Sequence, residues 1–308
     1  MITVICLNPC IDKTVTVDGV RIGEHNRVID NQVNIAGKGV NVAVVLSRLN
    51  EELRLIGFNY TDNGQILDKL ALDEGFKAEF VRVNGEIRTN VKLHDIANNT
   101  VTELNETGGY VSADKQEELF RLYDSCQNDT QLFIMSGSLP LGCDSDTYMR
   151  LIKRTNHRCV VDCAGDNLAC AIEGAPFMIK PNRAELESYM GRRLPTKEDC
   201  LSAALEIISK GVKVVLVSMG GDGAVITDGT RAYYASPLSV RVSSTVGAGD
   251  SMVAGFCFGM QNGMEFKECF AFSVAAASAC VTNTATNLPE KESIMQMLPR
   301  IQITEMEI

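Results

Sequence analysis

The chain has 308 residues, of which 45% are hydrophobic and 22% are charged, so it can bury a substantial core and is not a disordered protein. Its net charge of -10 excludes a broad nucleic-acid surface, because such surfaces neutralise phosphates with clustered Lys and Arg. No run approaches ~20 apolar residues and no basic leader precedes the first apolar segment, so we expect a cytoplasmic protein without a membrane partner.

Short apolar runs alternate with segments of helical periodicity along the chain. This alternation predicts a parallel sheet with crossover helices, and the runs rich in Val and Ile are typical of strands buried on both faces. The predicted strands are 2–8, 53–58, 131–136, 159–162 and 213–218. The predicted helices are 38–50, 63–75, 112–126, 145–155, 182–190, 196–210, 248–262 and 265–282.

Two regions, 14–36 and 77–107, break this rhythm. Both alternate with period two and carry turn residues between their apolar runs, which indicates strands with one buried face. We expect these two insertions to form a small separate sheet beside a single domain that spans 1–308. The sheet serves as a lid in one interpretation and merely extends the edge of the core sheet in the other.

Cysteine and histidine offer no metal site. The eleven cysteines include no C-x-x-C pair, and His25, His94 and His157 show no zinc spacing, so reduced core thiols are the expectation. Any metal should therefore be bound through oxygen.

A glycine-rich stretch, V-S-S-T-V-G-A-G-D-S-M-V-A-G-F, occupies 242–256 and leads into an apolar run of helical length. We expect the amides of Gly247, Ala248 and Gly249 to point into one concavity at a helix N-terminus, where an anion binds. Asp250 then lies in the first turn, ionised near neutral pH, and can accept a proton from a hydroxyl that attacks a phosphoryl group. The alternative is a helix with an ordinary first-turn acid.

Two common nucleotide-binding patterns are absent. G-x-x-x-x-G-K-[ST] does not occur, and neither glycine pair completes G-x-G-x-x-G, which excludes a P-loop kinase and removes the main support for a dinucleotide site.

A second cluster, N-I-A-G-K-G-V-N-V-A at 34–43, passes through Gly37 into a predicted helix. Small residues allow a ligand to approach the backbone, and Lys38 and Asn41 can supply polar contacts; a simple strand-to-helix turn is the alternative. N-P-C-I-D at 8–12 follows the first strand, at the carboxyl edge where open α/β sheets bind ligands, and Asp12 can accept two sugar hydroxyls.

These stretches together resemble the ribokinase-like (PfkB) carbohydrate kinase family. The two glycine-rich stretches occur with S-G-S-L-P at 136–140, K-P-N-R-A-E-L-E at 180–187 and S-M-G-G-D-G-A at 218–224, in the family's order. The resemblance implies a ribokinase-like three-layer α/β/α fold with a mostly parallel central sheet and a small β-sheet lid.

The resemblance also assigns roles on the sugar side. It implies that Asp250 is the catalytic base and that the amides of residues 247–249 hold the transferred phosphoryl group. The sugar phosphate would be bound by Asp12, Gly37, Lys38, Asn41, Arg88, Asn90, Lys92 and Ser138. Arg88, Asn90 and Lys92 lie in R-T-N-V-K, where period two places them on one strand face; a solvated face of a lid strand is the alternative.

On the nucleotide side, the resemblance implies contacts from Lys180, Asn182, Glu185, Ser218, Gly220, Gly223 and Asn283. Asn182 and Glu185 would organise Mg²⁺ through water, in keeping with the preference of Mg²⁺ for carboxylate and phosphate oxygens. Residues 276–283 would flank the base of ATP. Ser244 stands where many family members carry Asp, a departure at the monovalent-cation site of some relatives.

The expected activity is the ATP-dependent phosphorylation of a ketohexose phosphate. R-T-N-V-K and V-G-A-G-D-S-M-V-A-G-F look most similar to the branch that contains 1-phosphofructokinase and tagatose-6-phosphate kinase, which favours fructose 1-phosphate over tagatose 6-phosphate and fructose 6-phosphate. A sugar-phosphate sensor without catalysis is the alternative from another class. We also expect that a homodimer can form through the lid sheet.

Overall fold

The computed structural model describes residues 1–283 and 287–308, and most of its strands form one large sheet. In chain order these strands are β1 Ile2–Cys6, β4 Leu53–Tyr60, β5 Lys77–Val83, β8 Leu132–Ser136, β9 Arg158–Asp162, β10 Met178–Ile179, β11 Val214–Ser218, β12 Ala224–Thr227, β13 Ala232–Ala235 and β14 Ile303–Met306. Their spatial order is β14-β13-β12-β11-β10-β9-β8-β1-β4-β5. The strands from β11 to β5 run parallel, and β12 to β14 continue the sheet antiparallel.

Helices pack against this sheet and against one another. Their bounds are α1 Lys38–Arg48, α2 Gln65–Asp73, α3 Ala113–Ser125, α4 Thr147–Ile152, α5 Asp166–Glu173, α6 Arg183–Met190, α7 Lys197–Ile208, α8 Ala248–Gln261, α9 Phe266–Thr282 and α10 Lys291–Met297. All residues of β1 and β8 are buried, as expected for parallel strands covered on both faces. The predicted three-layer α/β/α fold with a mostly parallel central sheet is confirmed.

A second, smaller sheet stands beside the large one. It contains β2 Cys10–Val17, β3 Asp30–Ala36, β6 Arg88–Asp95 and β7 Thr100–Asn105 in the order β3-β2-β6-β7. We call these four strands the lid. The outer strand β7 is exposed along its whole length, whereas β6 has buried and half-buried residues.

The sequence placed one strand in the wrong sheet. Residues 77–83 form β5, which pairs in parallel with β4 at the edge of the large sheet, so the second insertion joins the lid only from Arg88 onward. The period-two pattern identified a strand correctly, because it reports one buried face. It carries no information about the sheet to which that strand is hydrogen-bonded.

All eight predicted helices are present, each trimmed by up to a few residues at its ends. The short elements α5, α10, β10, β12, β13 and β14 were not predicted, because segments of 2 to 8 residues are too short to show a clear period. No helix among the described residues has the length and apolar character needed to cross a bilayer.

Candidate active site

A cleft of about 800 Å³ lies between the carboxyl edge of the large sheet and the lid. It is lined by nearly all of the predicted site residues: Asp12, Gly37, Lys38, Asn41, Arg88, Asn90, Lys92, Lys180, Asn182, Glu185, Ser218, Gly220, Gly223, Gly247, Ala248, Gly249 and Asp250. Ser138 and Asn283 are not among the lining residues. Residues from both ends of the chain therefore meet in one cavity, because the loops that follow parallel strands share one edge of the sheet.

The glycine-rich turn before α8 leaves backbone donors exposed to the cleft. Gly247 is the N-cap of α8 and adopts a left-handed conformation with φ 78°, which glycine tolerates without strain. The amides of Gly247 and Gly249 donate to no acceptor among the described residues, whereas the Ala248 amide donates to the Thr245 carbonyl at 3.3 Å. The predicted anion site therefore has two available donors in this turn, Gly247 and Gly249, and the amide of Ala248 closes the turn instead.

Asp250 is buried at the base of the cleft, with 6% of its surface exposed. Its Oδ2 accepts a hydrogen bond of 2.7 Å from Nδ2 of Asn41. Burial, and next the negative charge of Asp162, raise the pKa of Asp250 to about 6, while Lys38 and Asn41 act in the opposite direction. The carboxylate is thus mostly ionised at neutral pH, but it holds its proton more strongly than the helix N-terminus alone predicts.

Asp162, which the sequence analysis missed, lies at the centre of the charge network. It ends β9 and has no exposed side-chain surface. Its Oδ1 is 3.0 Å from Nζ of Lys38 and its Oδ2 is 3.3 Å from Nζ of Lys180. These two cations outweigh burial and lower the pKa of Asp162. Its position at the carboxyl end of a buried strand, the criterion applied to Asp12, would have identified it.

The two lysines have different surroundings. Burial lowers the pKa of Lys38, but the charges of Asp162, Glu185 and Asp250 outweigh it and keep the pKa above its usual value. Lys180 is nearly fully buried, and a Cβ added to Gly249 would lie 3.2 Å from its Nζ. Lys180 therefore packs directly beneath the turn that carries the two available amides.

The lid contributes the opposite wall. Nδ2 of Asn90 donates to Oδ1 of Asp12 at 3.2 Å, and Nζ of Lys92 lies 2.5 Å from Oδ2 of the same carboxylate. The three side chains meet because β2 pairs with β6 in the register that aligns Asp12 with Asn90. Lys92 is mostly buried and its charge is balanced by Asp12, so these residues form one polar seat.

Arg88 lies next to this seat and joins the lid to the large sheet. Its guanidinium donates to the carbonyls of Glu106 and Asn8 at 2.8 and 3.3 Å and to Oγ of Ser138 at 3.4 Å. Ser138 also accepts a hydrogen bond of 3.1 Å from Asn8. Ser138 is thus a partner of Arg88 behind the cleft, although the sequence analysis assigned it a direct sugar contact.

At the other end of the cleft, Asn182 and Glu185 begin α6. The Asn182 side chain accepts from the Glu185 amide and Oε2 of Glu185 accepts from the Asn182 amide, both at 2.8 Å. This capping box fixes the start of the helix. Oε1 of Glu185 remains and lies 3.8 Å from Nζ of Lys38.

The wall expected to flank the nucleotide base is formed only in part by the predicted residues. Ala277, Ser278 and Val281 of α9 line the cleft, together with Leu238, Val240 and Val242. The amide of Asn283 instead donates to the carbonyl of Asn287 at 3.1 Å.

The donor set fits a loosely held Mg²⁺ rather than a protein-built metal cage. The described residues contain no group of three or more His, Cys, Asp or Glu that could hold a metal ion. The capping box uses Oε2 of Glu185 and leaves Oε1 of this carboxylate at the cleft, beside Asn182. This suits Mg²⁺, which keeps several waters and binds substrate phosphates.

Comparisons with known proteins find relatives over nearly the whole chain. The profile of the pfkB family carbohydrate kinases matches residues 5–293. A 1-phosphofructokinase from Vibrio cholerae is 32% identical over 98% of this chain and 96% of its own length, and one from Bacillus subtilis is 31% identical over 99% and 100%.

Solved structures agree as well. Phosphofructokinase-2 from Escherichia coli in complex with potassium superposes with a TM-score of 0.90 at 27% identity, covering 97% of this chain and 98% of that one. The same enzyme in complex with fructose-6-phosphate gives a TM-score of 0.87 at 26% identity over the same shares. The chain therefore belongs to the pfkB family of carbohydrate kinases.

Proposed function

We propose that this carbohydrate kinase transfers the γ-phosphoryl group of ATP to O6 of fructose 1-phosphate, giving fructose 1,6-bisphosphate and ADP. The observation that carries the proposal is the position of Asp250. This buried carboxylate lies next to two available amides, in the same cleft as the polar seat around Asp12. The names of the full-length relatives support fructose 1-phosphate as the acceptor.

The lid binds the sugar in this proposal. Asp12 and Asn90 form a hydrogen-bonded pair that can accept from and donate to ring hydroxyls. The phosphate already on the sugar lies towards Arg88, because the charge of Lys92 is balanced by Asp12 and Arg88 has no acidic partner among the described residues. A guanidinium suits a phosphate because it offers several N–H donors in one plane.

Asp250 serves as the base. Oδ1 accepts the proton of the O6 hydroxyl while Oδ2 stays hydrogen-bonded to Asn41. The O6 lone pair forms the new bond to the γ-phosphorus. The bond from that phosphorus to the β,γ-bridging oxygen breaks, and its electron pair leaves on ADP. With a pKa of about 6, most of the carboxylate is ionised at pH 7. This pKa is also close to the operating pH, which makes a general base efficient.

Fixed positive groups stabilise the transferred phosphoryl group. The amides of Gly247 and Gly249 face this group from the helix N-terminus. Lys38 and Lys180, both ion-paired with Asp162, flank it. Phosphoryl transfer depends mainly on such positioning and electrostatic stabilisation. Mg²⁺, held by Glu185 and through water by Asn182, would add further charge neutralisation at the ATP phosphates.

Ketohexose phosphates that carry their phosphate on C6 are the competing acceptors. The structure of phosphofructokinase-2 in complex with fructose-6-phosphate is similar to this chain over nearly its whole length. A ketohexose furanose has a hydroxymethyl group on each side of its ring oxygen, so a sugar bearing its phosphate at either end presents a similar outline. Fructose 6-phosphate and tagatose 6-phosphate are therefore the two competing acceptors.

A coupled assay of ADP release tests the activity and the acceptor together. The purified chain is assayed with ATP and each of the three ketohexose phosphates, and phosphorus NMR identifies the product. We expect the highest kcat/KM with fructose 1-phosphate. Preference for either 6-phosphate refutes the proposed acceptor, and sugar-phosphate binding without ADP release supports a sensor.

We also propose that two copies associate through the lid in the cytoplasm. The edge strands β3 and β7 expose Val33, Val101 and Leu104, and such apolar side chains on small sheets often mark interaction surfaces. The buried thiols of the core suit a reducing compartment.

A further inference from the structure

A short segment, residues 287–290 between α9 and α10, lies against the glycine-rich turn, and we call it the strap. A Cβ added to Gly247 would lie 2.7 Å from Cδ2 of Leu288 and 3.5 Å from Sγ of Cys280. Leu288 therefore packs directly on the backbone of Gly247. No side chain fits at position 247 unless the strap moves, because Leu288 occupies the space that a Cβ would need.

One side chain holds the strap from the far end of α1. Nη1 of Arg48 donates to the Leu288 carbonyl at 2.9 Å and lies 3.0 Å from a carboxylate oxygen of Glu290. Nε and Nη2 of Arg48 bind the two carboxylate oxygens of Glu74 at 3.0 and 2.6 Å. Arg48 thus joins the ends of α1 and α2 to the start of α10, and the bidentate pair with Glu74 fixes its guanidinium plane.

The same helix reaches the site at its other end. α1 begins with Lys38 and carries Asn41, the hydrogen-bond partner of Asp250, one turn later. Its last residue, Arg48, positions Leu288 over Gly247. One rigid helix therefore sets the place of the base from one end and the place of the phosphoryl-binding turn from the other.

We propose that Arg48 is a positioning residue for phosphoryl transfer, acting through Leu288 on the Gly247 amide. The inference rests on the proposed role of that amide. Without the guanidinium the strap loses its carbonyl anchor and the ion pair at Glu290, and Leu288 no longer fixes the turn. A misplacement of a group by about 1 Å can reduce catalysis by about 10²-fold, so a remote contact of this kind affects turnover.

The chain offers a matched control. Arg54 is also largely buried and also binds two carboxylates, Glu79 at 3.1 Å and Asp129 at 2.8 Å. It lies at the start of β4, near the amino edge of the large sheet and away from the cleft. Loss of either arginine removes a similar pair of ionic contacts, but only Arg48 is connected to the glycine-rich turn.

The experiment compares Arg48→Met with Arg54→Met, since Met keeps much of the aliphatic stem and removes the charge. Steady-state kinetics with ATP and the preferred acceptor are measured at a temperature where both variants are folded by circular dichroism. We expect Arg48→Met to lower kcat by about 10-fold or more with little change in the KM of the sugar phosphate, and Arg54→Met to retain wild-type kcat. Equal kcat values in the two variants overturn the proposal.

A double-mutant cycle tests the route. Leu288→Ala should lower kcat similarly, and Arg48→Met should add little to it, because both changes release the same contact. Fully additive effects refute the route through Leu288. An inactive wild-type chain refutes the proposed function instead, so failure of the two proposals is distinguishable.

Discussion

At the scale of single residues, two buried aspartates of one cleft have opposite shifts. Asp162 has two lysines within ion-pair distance, and its pKa is lowered despite complete burial. Burial, and next the negative charge of Asp162, raise the pKa of Asp250, although the hydrogen bond from Asn41 acts in the opposite direction. Environment rather than residue type therefore separates an ion-pair anchor from a base.

Replacement of the base is the most direct test. Asp250→Asn preserves shape and the contact with Asn41 but cannot accept the hydroxyl proton. We expect normal folding and ATP binding, with kcat reduced by at least ~10²-fold, measured by ADP release and by calorimetric titration of ATP. Near-normal turnover would exclude Asp250 as the base.

The same substitution should change stability with a definite pH dependence. The pKa of Asp250 rises from the ordinary 3.8 to about 6 on folding, so the folded state retains a proton that the unfolded chain releases. Ionisation therefore favours unfolding as pH rises from about 4 to 6, and the loss is complete above that range. We expect Asp250→Asn to raise Tm by about 5 °C at pH 8 and to leave it unchanged below the ordinary pKa of 3.8. An equal shift at both pH values would contradict the raised pKa.

Removal of the Asp162 carboxylate should lower the free energy of unfolding. Asp162→Asn leaves Lys180 buried without its counter-charge, so we expect a loss of about 3 kcal/mol in the free energy of unfolding, measured by urea denaturation. Asp73→Asn breaks an exposed pair with Lys69 and should cost at most about 1 kcal/mol. Similar losses in the two variants would show that burial of the pair is unimportant.

At the scale of elements, the ends of helices and strands form the site. The N-termini of α1, α6 and α8 and the carboxyl ends of β9 and β11 all border the cleft. Helix N-termini present backbone N–H groups and a favourable dipole to anions, so a chain of net charge -10 can bind ATP and a sugar phosphate without a broad basic surface.

The lid is the element on which the proposed dimer depends. Val33 on β3 and Leu104 on β7 expose 56% and 60% of their surface, and Leu72 on α2, outside the four lid strands, exposes 79%. We expect the double variant Val33→Lys/Leu104→Lys to be monomeric by light scattering, because buried lysines oppose pairing. Leu72→Lys serves as the control and should keep the wild-type mass. A dimer that survives the lid substitutions would place the interface elsewhere.

At the scale of the whole molecule, sequence predicted what is locally encoded. The buried strands, the long helices and the two glycine-rich turns each carry their signal within about fifteen residues. Asp162 was missed although it ends a buried strand, and its ion pair with Lys38, 124 positions away, is a tertiary contact. β5 was assigned to the lid because its pairing with β4 is likewise a tertiary contact. The Arg48 anchor likewise depends on contacts that no local pattern contains, whereas the Ala248 amide is bound by Thr245, three residues before it.

The two connections on either side of the first lid hairpin pass close together. Pro9 immediately precedes β2 and Gly37 immediately follows β3, and a Cβ added to Gly37 would lie 3.1 Å from Cα of Pro9. The hairpin that carries Asp12 therefore leaves and rejoins the large sheet at one place, next to Lys38 at the start of α1. Gly37 has φ 121° and no room for a Cβ, so a side chain at this position would displace both connections, and with them Asp12 and Lys38 together.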